Sequence, residues 1–454
     1  MSDSSITRRA SYGPASPEIG RRGATTRRRI VEVSLELFGE QGFFNTSVDA
    51  IAKAANVSRA TLYQYFPGKD EIFLELLDEC GSALVRVARR IGPLGPTELG
   101  LDNLHWWLGE WGWVFEKYRT MFVQWAAVAS VDSLVRSEVI GFVGRYNQRI
   151  AQRLEASEIE GIDPTPTAAA MTAIVHRLNL FAHTGQAHDA DSETLTTALS
   201  HFLQLLLFPS TPAEVLRSLS SDPGAEAPPI TINVPRAPST KGMSIEARVE
   251  GLTTRAANTV RRLVEAGLVM FARNGYHRTN VEDIVEKAGV ARGSFYKYFS
   301  EKLDLLQTIC VESMTEMKVL ADRMRTIDLT RDDAELRAWL ADFLHFGARY
   351  KGAISVSQTN PDDPLIAALA AYSQCLLDQS LEHALAKLSH SYPFDPALGA
   401  VIFRALISRV PGALKEIPEP LDDEQVLDFL MLAIRRGFLV HATRRDTAAV
   451  APLA

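Results

Sequence analysis

The chain has 454 residues, 46% hydrophobic and 23% charged, with a net charge of −7. That length predicts two to three domains, and no uninterrupted apolar run of about 20 residues offers a membrane span. The polar, arginine-bearing N-terminus argues against a secretory signal, and Cys80, Cys310 and Cys375 are too few and too scattered for a disulfide framework, so buried, reduced thiols in a cytoplasmic protein are expected.

In chain order, the first feature is a basic tail. Between Thr7 and Arg29 there are seven arginines and one acid, Glu18. The overall negative charge therefore conceals a basic head. Ile30, Val33, Leu37 and Phe38 then share one helix face, and Gly42 follows where a helix ends in a left-handed residue. Thr46 precedes a short apolar set, Val48, Ile51 and Ala55. Asn56-Val57-Ser58 makes a tight turn, and a third helix starts at Arg59. Its apolar residues are few, Leu62 and Phe66, so the rest of it is predicted to face outward.

The same pattern returns at an offset of 233 residues. Phe38 meets Phe271, Gly42 meets Gly275, Thr46 meets Thr279, Arg59 meets Arg292, Tyr63 meets Tyr296, and Lys69 meets Lys302. Two copies of one module are predicted, each opening with three short helices and a tight turn before the third. This is a helix-turn-helix unit.

The third helices carry chemistry suited to a DNA groove. Arg59 and Arg292 can each donate two hydrogen bonds to a guanine edge or to phosphate. Ser58, Thr61 and Ser294 can bond either, Gln64 can donate and accept at adenine, and Lys297 can only donate. Gly293 belongs to the same face, and Tyr63, Tyr65, Tyr296 and Tyr298 offer hydroxyls that reach phosphate. Lys69 and Lys302 open the next helix beside the groove, and Thr46 and Thr279 are placed with the same candidate set. Arg21, Arg22, Arg27, Arg28 and Arg29 either reach the adjacent minor groove or backbone, or stay solvated.

"FGEQGFFNTSVDAIAKAANVSRATLYQYFPGKDEIF" and "FARNGYHRTNVEDIVEKAGVARGSFYKYFSEKLDLL" each resemble the DNA-binding head of TetR-family transcriptional regulators. The resemblance implies an all-α chain of two tandem copies, each a helix-turn-helix head plus a helical ligand-binding and dimerisation domain. The expected segments are a disordered tail over 1–25, heads over 26–72 and 247–305, helical domains over 73–210 and 306–445, and an extended linker over 211–246. It further implies a DNA-binding regulator, by the family default a ligand-responsive repressor. With two unequal heads in one polypeptide, the chain would act as a pseudo-dimer on a non-palindromic operator, with half-sites about 34–36 Å apart or a multiple of that.

The helical domains are less explicit. Trp106, Trp107, Trp111, Trp113 and Trp125 cluster in the first copy with Tyr118 nearby, and Trp339 stands alone in the second. They either line a pocket for an apolar or ring-bearing effector or serve as packing. The amphipathic stretches 193–208 and 423–440, paired with 168–183 and 397–409, are suited to a four-helix contact between copies. Whether that contact forms within one chain or between two is open at this level. No enzyme signature is present, and His176, His183 and His188 have no metal-ligand spacing, so neither catalysis, nor a cofactor, nor a metal is expected. The rival reading is a helical ligand- or protein-binding module whose heads no longer both bind DNA.

Overall fold

The computed structural model describes residues 17–123, 134–159, 161–219, 230–358, 363–388 and 395–439. Among them the secondary structure is helical, with no strand. The chain divides into two units, Met1–Ala83 with Tyr118–Phe142, and Leu84–Lys117 with Val143–Ala454. The division does not fall at the linker, because the two helical domains pack on each other within the second unit.

The first unit holds the first head: α1 (Pro17–Gln41), α2 (Val48–Ala54), α3 (Arg59–Tyr65) and the start of α4 (Lys69–Arg89). Residues 17–25, expected in a disordered tail, are helical. Ile30, Phe38, Ile51, Leu62, Phe66 and Phe73 form the core of the head and are essentially inaccessible. Full burial of such side chains stabilises by about 1.5–3 kcal/mol each, which is what holds helices of seven residues that could not persist alone.

The second unit holds the first helical domain: α5 (Glu98–Lys117), α6 (Leu134–Glu155, its latter part), α7 (Pro164–His183), α8 (Ser192–Leu207) and α9 (Ala213–Arg217). The whole second copy follows: α10 (Ile245–Val249), α11 (Thr254–Asn274), α12 (Val281–Ala288), α13 (Arg292–Tyr298), α14 (Lys302–Met324), α15 (Asp333–Arg349), α16 (Lys351–Gln358), α17 (Pro364–Ala386), α18 (Pro396–Leu414) and α19 (Asp423–Ile434). A π-helical turn, Arg435–Leu439, ends the described chain. The linker is shorter than 211–246 at both ends. Val215 and Leu216 of α9 are buried against Leu101 and Leu205, and Ser244 caps α10.

Within this unit α7 of the first copy packs along α18 of the second, and α8 packs on α18 and the π-helical turn. The contact left open by the sequence is thus made inside one chain. Asp163 and Asp395 cap the two partner helices, each followed by proline, and each accepts a backbone N–H two residues on, at 2.8 and 2.7 Å. Phe438 lies against Phe202 and Phe403, with ring centroids 4.8 and 5.4 Å away. Gly437 lets the backbone approach the Phe202 ring so closely that a Cβ there would fall 2.2 Å from it. Helix α18 is long and apolar enough to cross a membrane by length and composition, but 72% of its apolar window is buried. It is apolar over most of its length because α7, α15, α17 and α19 pack against it.

At the centre of this contact is a buried charged group. Asp378 is wholly buried and receives Arg404 Nε at 2.6 Å and His188 Nε2 at 2.8 Å. Arg404 also donates to the Gln186 carbonyl at 2.7 Å and stacks 3.7 Å over the Phe181 ring. Nearby Arg177 is held down to about 9 by burial, then by repulsion from Arg409 and Arg404.

Candidate nucleic-acid interface

Each reading helix is set by the turn before it. Asn56 (φ 53°) and Gly289 (φ 61°), at matching positions, turn the chain through the left-handed region. In the first head Ser58 caps α3: its oxygen accepts the Thr61 N–H at 3.0 Å and lies 2.8 Å from the Thr61 hydroxyl. In the second head Ala291 occupies that position and α13 has no side-chain cap.

Leu62 and Phe295 anchor the two helices inward. The opposite faces are open: Arg59, Tyr63 and Gln64 are exposed, as are Arg292, Gly293, Tyr296 and Lys297, while Thr61, Tyr65, Ser294 and Tyr298 are half-buried. The two exposed faces are alike in plan and different in chemistry, since Gln64 faces outward where the second head carries Lys297.

The arginines are held in the same way in both heads. Arg59 donates to Asp49 at 3.2 Å and to the Tyr63 hydroxyl at 3.3 Å. Arg292 pairs with Glu282 at 2.6 Å and lies 5.8 Å over the Tyr296 ring. The tyrosine contact first, and the acid second, push each guanidinium above its ordinary value. Asp49 and Glu282 were not among the expected residues. Their signal was an acid kept at the 233 offset on the preceding short helix.

Four expected contacts turn inward. Thr46 and Thr279 are buried, and their hydroxyls donate to the Gly42 and Gly275 carbonyls, each at 2.8 Å. They close the end of the first helix of each head, where Gly42 and Gly275 take positive φ (79° and 78°), and so leave the exposed set. Lys69 donates to the carbonyls of Phe43, Phe44 and Thr46 at 2.8, 3.2 and 3.1 Å. Lys302 does the same to Tyr276 and Thr279, both at 2.8 Å. Burial lowers both ammonium groups, and their protons are committed to the turn behind the reading helix.

The basic stretch also divides. Arg27 is turned into the head, where it pairs with Glu75 and donates to the Tyr65 carbonyl at 3.0 Å. Arg28 and Arg29 are exposed, Arg28 lying 3.6 Å from Glu32.

The tryptophans do not line one cavity. Trp107 and Trp111 are buried beside Tyr146, whose burial pushes its proton affinity up. Trp113 is 60% exposed beneath Lys117, and Trp106 is half-buried beneath Arg90. Tyr118 is buried, and Trp125 lies outside the described residues. Trp339 is buried, donates to the Leu320 carbonyl at 2.8 Å and stacks on Phe343. Full burial pairs it with Trp107, one residue from the register of the heads. A cavity of about 20 Å³ among Leu108, Val175, Leu178, Asn179 and Leu199 has room for no more than a water. Cys80 and Cys310 are buried, with thiols pushed up to about 12, and are inert.

Two three-helix heads, each with a turn before an outward-facing polar helix, define a tandem helix-turn-helix protein. The profile of bacterial regulatory proteins of the tetR family matches both heads, over residues 30–76 and 263–309, so the chain carries two TetR-like heads. Its head is 45% identical over 51 residues to the HTH-type transcriptional regulator AcrR of Shigella flexneri, covering 11% of this chain and 24% of that one. The chain thus spans about a quarter of that relative's length. It is 26% identical over 157 residues to IcaR of Staphylococcus epidermidis, the negative transcriptional regulator of the biofilm operon icaADBC, covering 34% of this chain and 80% of that one. A crystal structure of a transcriptional regulator from Aquifex aeolicus aligns at 21% identity and a TM-score of 0.31, covering 39% of this chain and 95% of that one.

Proposed function

We propose that this protein is a sequence-specific DNA-binding transcriptional regulator, a ligand-responsive repressor working in the cytoplasm as a single-chain pseudo-dimer. The observation that carries the reading is the pair of open reading faces on one polypeptide: Arg59, Thr61, Tyr63 and Gln64 on one, Arg292, Ser294, Tyr296 and Lys297 on the other. Arginine forks and hydroxyls on a helix set off by a tight turn suit the major groove and its flanking phosphates. Packing of α7 and α8 against α18 and the π-helical turn supports one chain as the working unit. Because Gln64 and Lys297 read different base edges, the operator is non-palindromic, with related, unequal half-sites.

The effector is a small apolar or ring-bearing molecule, and it acts by favouring one setting of the helical domains over another. The small cavity beside Leu108 is the place it would widen, among the apolar side chains of Leu108, Val175, Leu178 and Leu199.

Selection of bound fragments from a random DNA pool, followed by footprinting, tests the reading. One chain is expected to protect two unlike half-sites. Arg59→Ala and Arg292→Ala should each abolish protection of a different half. Equal tolerance of base changes in both halves, or failure to select any sequence, would sink it.

A further inference from the structure

We propose that Arg27 and Arg248 are positioning residues that clamp the end of each reading helix to the helix that follows it. In the first head the Arg27 guanidinium stacks 4.3 Å over the Phe66 ring, donates through Nη1 to the Tyr65 carbonyl at 3.0 Å, and ion-pairs through Nε and Nη2 with Glu75 on α4. In the second head the Arg248 guanidinium stacks 4.8 Å over Phe299, donates through Nη1 to the Tyr298 carbonyl at 2.9 Å, and ion-pairs through Nη2 with Asp304 on α14. The three partners are the same in kind: the last aromatic ring of the reading unit, the carbonyl at the end of the reading helix, and a carboxylate on the next helix.

The two clamps are not copies of one another in sequence. The position matching Arg27 at the offset of the heads is Val260, inside α11, whereas Arg248 sits on the separate short helix α10. The acids also differ in register, since Asp304 matches Glu71 and not Glu75. Two heads that share a plan have thus reached one contact from different places in the chain. Simple inheritance of a residue does not produce this, and a requirement for the contact does. Only arginine can fill the role, because a planar fork can stack on a ring while donating in its own plane to a carbonyl and a carboxylate at once.

The contact closes a path. The last carbonyl of a helix has no partner within the helix, so it takes the fork, and the same fork grips the following helix. Any shift of α4 or α14 along its axis is then passed to the end of α3 or α13. The second clamp is the more buried: Arg248 and Asp304 are 15% and 20% exposed, against 43% and 26% for Arg27 and Glu75. Screening by water is weaker there, so the second head should depend more on its clamp.

The inference rests on the DNA-binding reading for its main test. The full chain is assayed on its selected operator and on unrelated DNA, with Arg27→Ala, Arg27→Lys, Arg248→Ala and Arg248→Lys. Each alanine variant is expected to lower the ratio of specific to non-specific affinity by about tenfold, with the loss confined to one half-site. Arg27→Ala should affect the half lost in Arg59→Ala, and Arg248→Ala the half lost in Arg292→Ala. Lysine should not rescue, although it keeps the charge. Retained half-site selectivity in the alanine variants, equal loss in both halves, or full rescue by lysine would each overturn the clamp. Glu75→Gln and Asp304→Asn, which keep the stacked arginine, guard against a variant that fails to fold and should show a smaller loss in the same half. If the unmutated chain selects no DNA, the functional reading fails by itself. Hydrogen exchange then tests the clamp alone: the amides of residues 62–66 should lose protection in Arg27→Ala and Arg27→Lys alike, and unchanged protection rejects it.

Discussion

Single side chains in the heads fall into two groups that look alike in the sequence. Arg59 and Lys69 are both cations beside a reading helix, yet Arg59 points to solvent and Lys69 into the turn behind it. The difference lies in the acceptors. Three carbonyls at the end of the first helix of the head converge where the Lys69 ammonium can reach them, and its stem covers apolar surface on the way. Replacing Lys69 by Met keeps the stem and removes the donor. We expect a loss of about 1–3 kcal/mol in urea unfolding of the first head, because partly buried carbonyls are left unpaired. Lys302→Met should behave alike. An unchanged midpoint would mean that water replaces the ammonium at no cost.

Elements carry the asymmetry between the heads. Ser58 caps α3, whereas Ala291 leaves the first turn of α13 without a side-chain acceptor, and Gly293 adds backbone freedom to the same helix. A Cβ at Gly293 would meet open space. The double substitution Ala291→Ser with Gly293→Ala should therefore stabilise the second head by about 1–2 kcal/mol, read as a higher thermal midpoint. Elsewhere α9 is held to α8 by His201, whose Nε2–H donates to the Leu216 carbonyl at 2.8 Å. Burial holds this imidazole down to about 4 from 6.5, and His105 adds a smaller push the same way. Between those values the unfolded chain takes up a proton that the folded one refuses. The contribution is thus fully present above pH 6.5 and is lost as pH falls toward about 4, on the order of 3 kcal/mol in all. Urea unfolding of His201→Gln from pH 7 to pH 4.5 should show a flatter profile than the unmutated protein.

For the molecule as a whole, the join between the copies is the deciding feature. Asp378 belongs to the second copy, and its partners come from both: Arg404 from its own side and His188 from the other. Such a group rewards pairing of the first copy with the second, since neither copy alone holds all three. Asp378→Asn leaves the Arg404 charge buried without its carboxylate and should cost on the order of 3–5 kcal/mol, with aggregation or concentration-dependent assembly in light scattering. The triple change Asp378→Leu, Arg404→Met and His188→Leu should recover most of that stability. If it does not, the group holds the join by more than mutual charge. Gly437→Ala should cost about 1–3 kcal/mol through overpacking against Phe202, which is fully buried.

Much of this molecule was written into its residues in a form that local rules can read. The doubled heads, their apolar faces, the glycines at the helix ends and the outward face of each reading helix follow from spacing and residue type, because each depends on neighbours a few positions away. The helix from Pro17, the short helix bearing Arg248 and the inward turn of Lys69 and Thr46 did not follow. Neither did the separation of the tryptophans into core and surface. Those outcomes depend on which carbonyls, rings and carboxylates meet from distant parts of the chain, and a one-dimensional register carries no such distances. Arg27 and Arg248 make the point most plainly: they lie out of register in sequence and fill the same slot in space, because the slot is defined by a ring, a carbonyl and an acid that only folding brings together.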